Sequence, residues 1–120
     1  MKKILIADDD SLIIDLISFK LKKRGYQVVH TTDGELLLID IMKNQPDLII
    51  LDYQLPGISS GEIIENLHNN TKTANIPIII LSSSWRERDV LDALQSGIND
   101  FMTKPFSPDE LLLRVELCLK

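Results

Sequence analysis

The chain has one cysteine, Cys118, in 120 residues, so no intramolecular disulfide can staple it. That usage suits a reducing compartment, and a cytoplasmic location is the expectation. No run of about 18 apolar residues occurs, and the N-terminus has no basic-then-apolar leader, so neither a membrane span nor a secretory signal is expected. Excess positive charge is missing as well. The net charge of −5 disfavours nonspecific attraction to nucleic acid or anionic lipid, though it permits a local basic patch. No glycine-rich turn follows the first apolar run, which weighs against a dinucleotide site. Repeats, low-complexity tracts and internal linkers are also lacking. A single domain over residues 1–120 is expected. Its last helical pattern runs up to Lys120, so either the protein stops there or a C-terminal output domain follows.

A chain of this length buries roughly two-thirds of its unfolded surface and needs no staple to fold. Its pattern alternates strand and helix five times. Continuous apolar runs at 2–7, 47–52 and 77–82 read as strands covered on both faces, and shorter strands are expected at 26–31 and 99–103. Ile13, Leu16, Ile17 and Leu21 recur at helical spacing and are stopped by Gly25. Further helices are expected over 34–44, from the Gly57–Gly61 loop to about 69, over about 86–96 and over about 108–119. Such alternation implies an α/β fold: a five-stranded parallel sheet with helices on both faces, in the flavodoxin-like doubly wound order 2-1-3-4-5.

In that order all strand carboxyl ends share one rim. The first strand delivers Asp8 and Asp9 to it, the third Asp52, the fourth Ser82, and the fifth leads into Lys104. Two carboxylates about 4 Å apart repel by roughly 4 kcal/mol at an effective dielectric near 20. A domain stable by about 5–15 kcal/mol must offset that. One lysine offsets part of it, and a hard divalent cation offsets more. Aspartates with no histidine or cysteine nearby suit Mg²⁺ better than zinc. Open metal positions accept phosphate oxygens, and one carboxylate can act as a nucleophile and become an acyl phosphate.

Four stretches carry a resemblance: ADDD after the first strand, LDYQLPG after the third, ILSS after the fourth and KPF after the fifth. In this order and spacing, from about Lys3 to Leu119, the chain resembles the response-regulator receiver domain. The resemblance implies a phosphorylation-dependent signalling switch, with Asp52 as phosphoacceptor and a histidine kinase or phosphotransfer protein as donor. It implies Mg²⁺ bound directly by Asp9, through water by Asp8, and by Asp52 and the backbone carbonyl of Gln54. Ser82 would hydrogen-bond one phosphoryl oxygen and Lys104 would pair with another, with a cis bond before Pro105. Phe101 would be the aromatic switch that moves with Ser82. The protein would assist its own phosphorylation and dephosphorylation without being an enzyme with an external product. Gln54 and Ser84 would flank the path of hydrolytic water and set the lifetime of the phosphate.

Plainer roles compete for some of these residues. Asp10 is expected to cap the first helix. Phe101 can equally be core packing. His30 and His68 are expected on the surface, and Cys118 on the inner face of the last helix. Trp85, three residues past Ser82, is expected in the following loop, where its indole would sense the site. On the last helix Leu113 and Leu117 point away from the buried arc of Leu111, Val115, Cys118 and Leu119, and Leu36 and Ile39 form a similar surplus on the second helix. In receivers the face of the fourth helix, fifth strand and fifth helix commonly dimerises or meets an output domain. Leu113 and Leu117 are candidates for that contact, and no direct binding of nucleic acid by this domain is expected. Two other functions compete with the switch. A haloacid-dehalogenase-like phosphatase would use Asp8 and Asp10, although it leaves LDYQLPG unexplained. A phosphate-independent interaction domain would keep the fold without the switch.

Overall fold

The computed structural model describes residues 1–84 and 86–120; the expectation for Trp85 lies outside the described residues. Strands β1 (Lys3–Ala7), β2 (Gln27–Thr31), β3 (Leu48–Asp52), β4 (Ile78–Ser82) and β5 (Asp100–Thr103) alternate with helices α1 (Ser11–Lys23), α2 (Gly34–Asn44), α3 (Ser60–His68), α4 (Glu87–Gln95) and α5 (Pro108–Cys118). The strands form one parallel sheet in the order β2-β1-β3-β4-β5. The expected elements are all present, with ends displaced by one or two residues where helix and strand termini fray.

Because side chains alternate across a strand, the central apolar runs feed two cores. On one face Ile4, Ile6, Leu48, Ile50, Ile79 and Leu81 pack under α1 and α5. On the other, Leu5, Ala7, Ile49, Leu51, Ile78 and Ile80 pack under α2 and α3. Cys118 is half-buried against the first core, and burial, helped by the charge of Asp100, pushes its thiol pKa up. The expected inner face of α1 needs one correction. Its buried residues are Ile14, Ile17 and Leu21, while Leu16 is exposed. Leu16 lies about 100° round the helix from Ile17, outside the arc that the sheet covers. His30 and His68 are exposed, as are Leu36, Ile39, Leu113 and Leu117.

Helix starts are fixed by short polar side chains. Asp10, Asp33, Ser59 and Ser107 each accept a backbone N–H from the first turn of α1, α2, α3 and α5. Helix α4 differs: Arg86 stands at its N-cap and makes no side-chain capping bond. The loop after β3 lies hard against the start of α2. The Gly34 N–H donates to the Pro56 carbonyl at 3.0 Å, and a Cβ on Gly34 would fall 2.6 Å from that oxygen. Gly57 turns the same loop with φ +103°, a conformation that glycine adopts without a Cβ penalty.

Candidate functional site: an acidic rim with one lysine

The rim is built by strands that stop in register. Ala7 pairs with Leu51 and Asp52 with Leu81, so the residues just after β1 and at the end of β3 emerge side by side. Asp8 extends the ladder by one step, donating its N–H to the Thr31 carbonyl at 3.2 Å. Tyr53 does the same on the other side, donating to Leu81 O at 2.7 Å. These bonds hold the two acidic positions to the sheet. Asp8 and Asp52 are buried, while Asp9 is exposed. One carboxylate oxygen from each of Asp8, Asp9 and Asp52 lies within 4.8 Å of the other two.

Lys104 reaches this cluster from the far side of the sheet. Its N–H donates to the Ser82 carbonyl at 2.7 Å, and the Lys104–Pro105 bond is cis. The amine donates to Asp8 Oδ2 at 2.9 Å and pairs with Asp52 Oδ2 at 3.5 Å. Burial pulls the lysine pKa down. The hydrogen bond to Asp8, the charges of Asp52 and Asp8, and a hydrogen bond to Asp52 outweigh it, so the pKa stands above the ordinary lysine value. The Asp52 pKa is also raised. Burial is the largest cause, and the charges of Asp8 and Asp9 add to it. The Gln54 N–H, at 3.1 Å from Oδ1, and Lys104 pull the other way without cancelling it. Both members of the Lys104–Asp52 pair are thus raised. The distances explain this, since the amine belongs first to Asp8 and leaves Asp52 only partly compensated.

The remaining expected residues fall around this centre. Ser82 ends β4 and is fully buried. Its hydroxyl accepts from Gln54 Nε2 and from the Ser84 N–H, each at 3.0 Å. Phe101 is half-buried on β5 opposite Ile80, packed against the core on the α2 and α3 face. Asp10 stays out of the cluster, because its Oδ1 accepts the Leu12 N–H at 2.9 Å. The phosphatase alternative therefore has only one of its two acids, Asp8, in the cluster. Leu113 and Leu117 stand exposed on α5, beside an Arg114–Asp100 ion pair of 2.6 Å that ties α5 to β5.

Two features of the site had no expectation attached. One is the direct Asp8–Lys104 bond. The other is the side chain of Gln54, considered above for its carbonyl and for the water path but not for a bond to Ser82. Neither has a sequence signal, because each joins loops that only the folded sheet brings together. Chemically the arrangement offers three carboxylates against one ammonium. Hard oxygen donors in excess negative charge, with no histidine or cysteine in the cluster, fit a small divalent cation that keeps open positions.

Comparison with known proteins agrees with this geometry. The family model for the response regulator receiver domain matches residues 4–116. The phosphate regulon transcriptional regulatory protein PhoB of Escherichia coli (strain K12) is 34% identical over 119 residues, covering 99% of this chain and 52% of PhoB. The DNA-binding dual master transcriptional regulator RpaA of Synechocystis is 38% identical over 120 residues, covering all of this chain and 50% of RpaA. The chain thus spans about half the length of these curated relatives. Among solved structures, the receiver domain of the Francisella response regulator 1452 superposes with a TM-score of 0.89 at 34% identity, covering 99% of this chain and 97% of that one. The chemotaxis response regulator CheY4 of Vibrio cholerae superposes at 0.91 with 27% identity, and 99% of each chain is covered.

Proposed function

Because the chain belongs to the response-regulator receiver family of two-component signalling, we propose that Asp52 is its phosphoacceptor and that a histidine kinase or phosphotransfer protein is the donor. The observation that carries this reading is the convergence of Asp8, Asp9 and Asp52 within 4.8 Å of one another, with the Lys104 amine paired to Asp8 and Asp52. Asp52 is the acid that ends the central strand β3 with no full cationic partner of its own. Its carboxylate oxygen attacks the phosphorus of a phosphohistidine. The P–N bond breaks with its electron pair going to the ring nitrogen, the imidazole leaves neutral, keeping the proton of its other nitrogen, and an acyl phosphate remains.

Asp8, Asp9, Asp52 and the Gln54 backbone carbonyl are the proposed ligands of Mg²⁺. When bound, the ion neutralises charge on the transferring phosphoryl group. Lys104 is poised to pair with a phosphoryl oxygen as it shares itself between Asp8 and Asp52. Ser82 supplies a hydroxyl to another. These residues make the chain a participant in its own phosphorylation and dephosphorylation, and Gln54 and Ser84 are placed to influence the lifetime of the acyl phosphate. Phosphorylation then biases a two-state equilibrium through Ser82 and Phe101. Leu113 and Leu117 on α5 form the proposed contact with a second copy or with an output domain, in a cytoplasmic setting. The twofold greater length of PhoB and RpaA supports the output-domain form of that contact.

The test is acetyl phosphate with Mg²⁺, read by intact mass. Wild type is expected to gain one phosphate, and Asp52→Asn and chelator-treated protein none. Phosphate on the Asp52→Asn variant, or incorporation without a divalent ion, overturns the assignment.

A further inference from the structure

The carboxamide of Gln54 crosses from the β3–α3 loop to the β4–α4 loop. Its Nε2 donates to Ser82 Oγ at 3.0 Å, and its Oε1 accepts the Ser83 N–H at 3.4 Å. The Ser84 N–H donates to the same Ser82 oxygen at 3.0 Å. The polarity of this network follows from its fixed members. A backbone N–H can only donate. The Ser83 N–H therefore requires the amide oxygen to face it, and the amide NH₂ must then face Ser82. A flipped amide would set one donor against another at Ser83.

A serine oxygen has two lone pairs and one proton. Here both lone pairs are taken, one by Gln54 and one by Ser84 N–H. The proton is left the fourth tetrahedral direction of the oxygen, and Ser82 is fully buried, so bulk water does not reorient it. We infer that Gln54 is a positioning residue that holds the Ser82 hydroxyl as an obligate donor, aimed at the phosphoryl group on Asp52. This rests on Asp52 being the phosphoacceptor. The same residue spans both sides of the site: its main-chain N–H holds Asp52 Oδ1, and its side chain sets Ser82. Freed of the amide, Ser82 regains a lone pair and the hydroxyl can turn away.

The test is a double-mutant cycle read by beryllofluoride affinity in Mg²⁺, with Mg²⁺ affinity alone as the second readout. Gln54→Met keeps the volume and the main-chain carbonyl but loses the amide. It is expected to weaken beryllofluoride by about three- to tenfold, the scale of one oriented hydrogen bond, and by more than any change in Mg²⁺ affinity. In a Ser82→Ala background the same substitution is expected to have no further effect. Gln54→Glu presents only acceptors, so Ser82 must donate to it. It is expected to weaken beryllofluoride at least as much as Ser82→Ala does, after correction for its added charge in the Ser82→Ala background. An equal loss from Gln54→Met with and without the serine hydroxyl overturns the inference, as does no loss where Ser82→Ala is impaired. If wild type takes phosphate at a residue other than Asp52, the reading beneath the inference has failed, and both fall.

Discussion

Helices α3 and α4 are each nine residues long and flank neighbouring parts of the sheet, yet they are held very differently. Helix α3 buries Ser60, Ile63, Ile64 and Leu67 and starts from a Ser59 cap. Helix α4 buries only Ala93, starts without a side-chain cap, and leaves Leu91 and Leu94 about half exposed. Among the described residues it contributes none to either buried core. Most helical stability in proteins comes from a packed apolar face. An element with little of it sits at the low end of local stability, where moving parts are found. Helix α4 is also joined to the site, because the Ser84 hydroxyl donates to Asp89 in its first turn. The loosely seated helix is therefore the one linked to Ser82 through its neighbours.

The largest expected effect that sharpens this contrast is in α3. Ile63→Ala, at a fully buried position, should cost about 2–5 kcal/mol in urea unfolding. A cost under about 1 kcal/mol would show that α3 is no better anchored than α4. Capping gives the next pair. Ser59→Ala should lose about 1 kcal/mol, whereas Arg86→Ser, which supplies the cap α4 lacks, should gain about 0.5–1 kcal/mol. Loss of stability in Arg86→Ser would mean that α4 is already satisfied. For the site itself, the raised Asp52 pKa sets a sign. The folded state holds that proton more tightly than the unfolded chain does. The stability tied to it is therefore complete below the unfolded pKa and lost as pH rises through the folded one. At neutral pH without divalent ions, Asp52→Asn should raise the unfolding temperature by a few degrees, on the order of 1 kcal/mol. The gain should disappear in acid, and Mg²⁺ should stabilise wild type more than the variant. The smallest effect belongs to Leu91→Ala and Leu94→Ala, each within about 0.5 kcal/mol beyond helix propensity. Amide hydrogen exchange should show α4 opening more readily than α3.

Much of this was legible in the chain. The runs ILIA, LIIL and IIIL could only be strands covered on both faces, and their order brought Asp8, Asp9, Asp52, Ser82 and Lys104 to one rim. Asp10 was legible as a cap because an aspartate before an apolar periodic run has a local partner. The misplacement of Leu16 arose because the sequence shows the period of a helix but not the width of the arc its sheet covers. The Asp8–Lys104 bond and the Gln54 bridge lay beyond reach for another reason: each depends on loop geometry at hydrogen-bond accuracy, between residues 96 and 28 positions apart. Tertiary placement, not local propensity, decides such contacts. The weak seating of α4 was half legible, since ERDVLDALQ is rich in charge, but its missing cap required the chain path at Arg86.

The absent side chain of Gly34 has a mechanical consequence. With the Pro56 oxygen only 2.6 Å from where a Cβ would stand, the segment after Asp52 rests directly on the start of α2 because residue 34 carries no side chain. A load arriving at the rim meets a backstop on that side. On the other it meets a helix pinned by one alanine. The rim is thus braced unequally, by a backbone contact at the start of α2 and by a single buried alanine in α4.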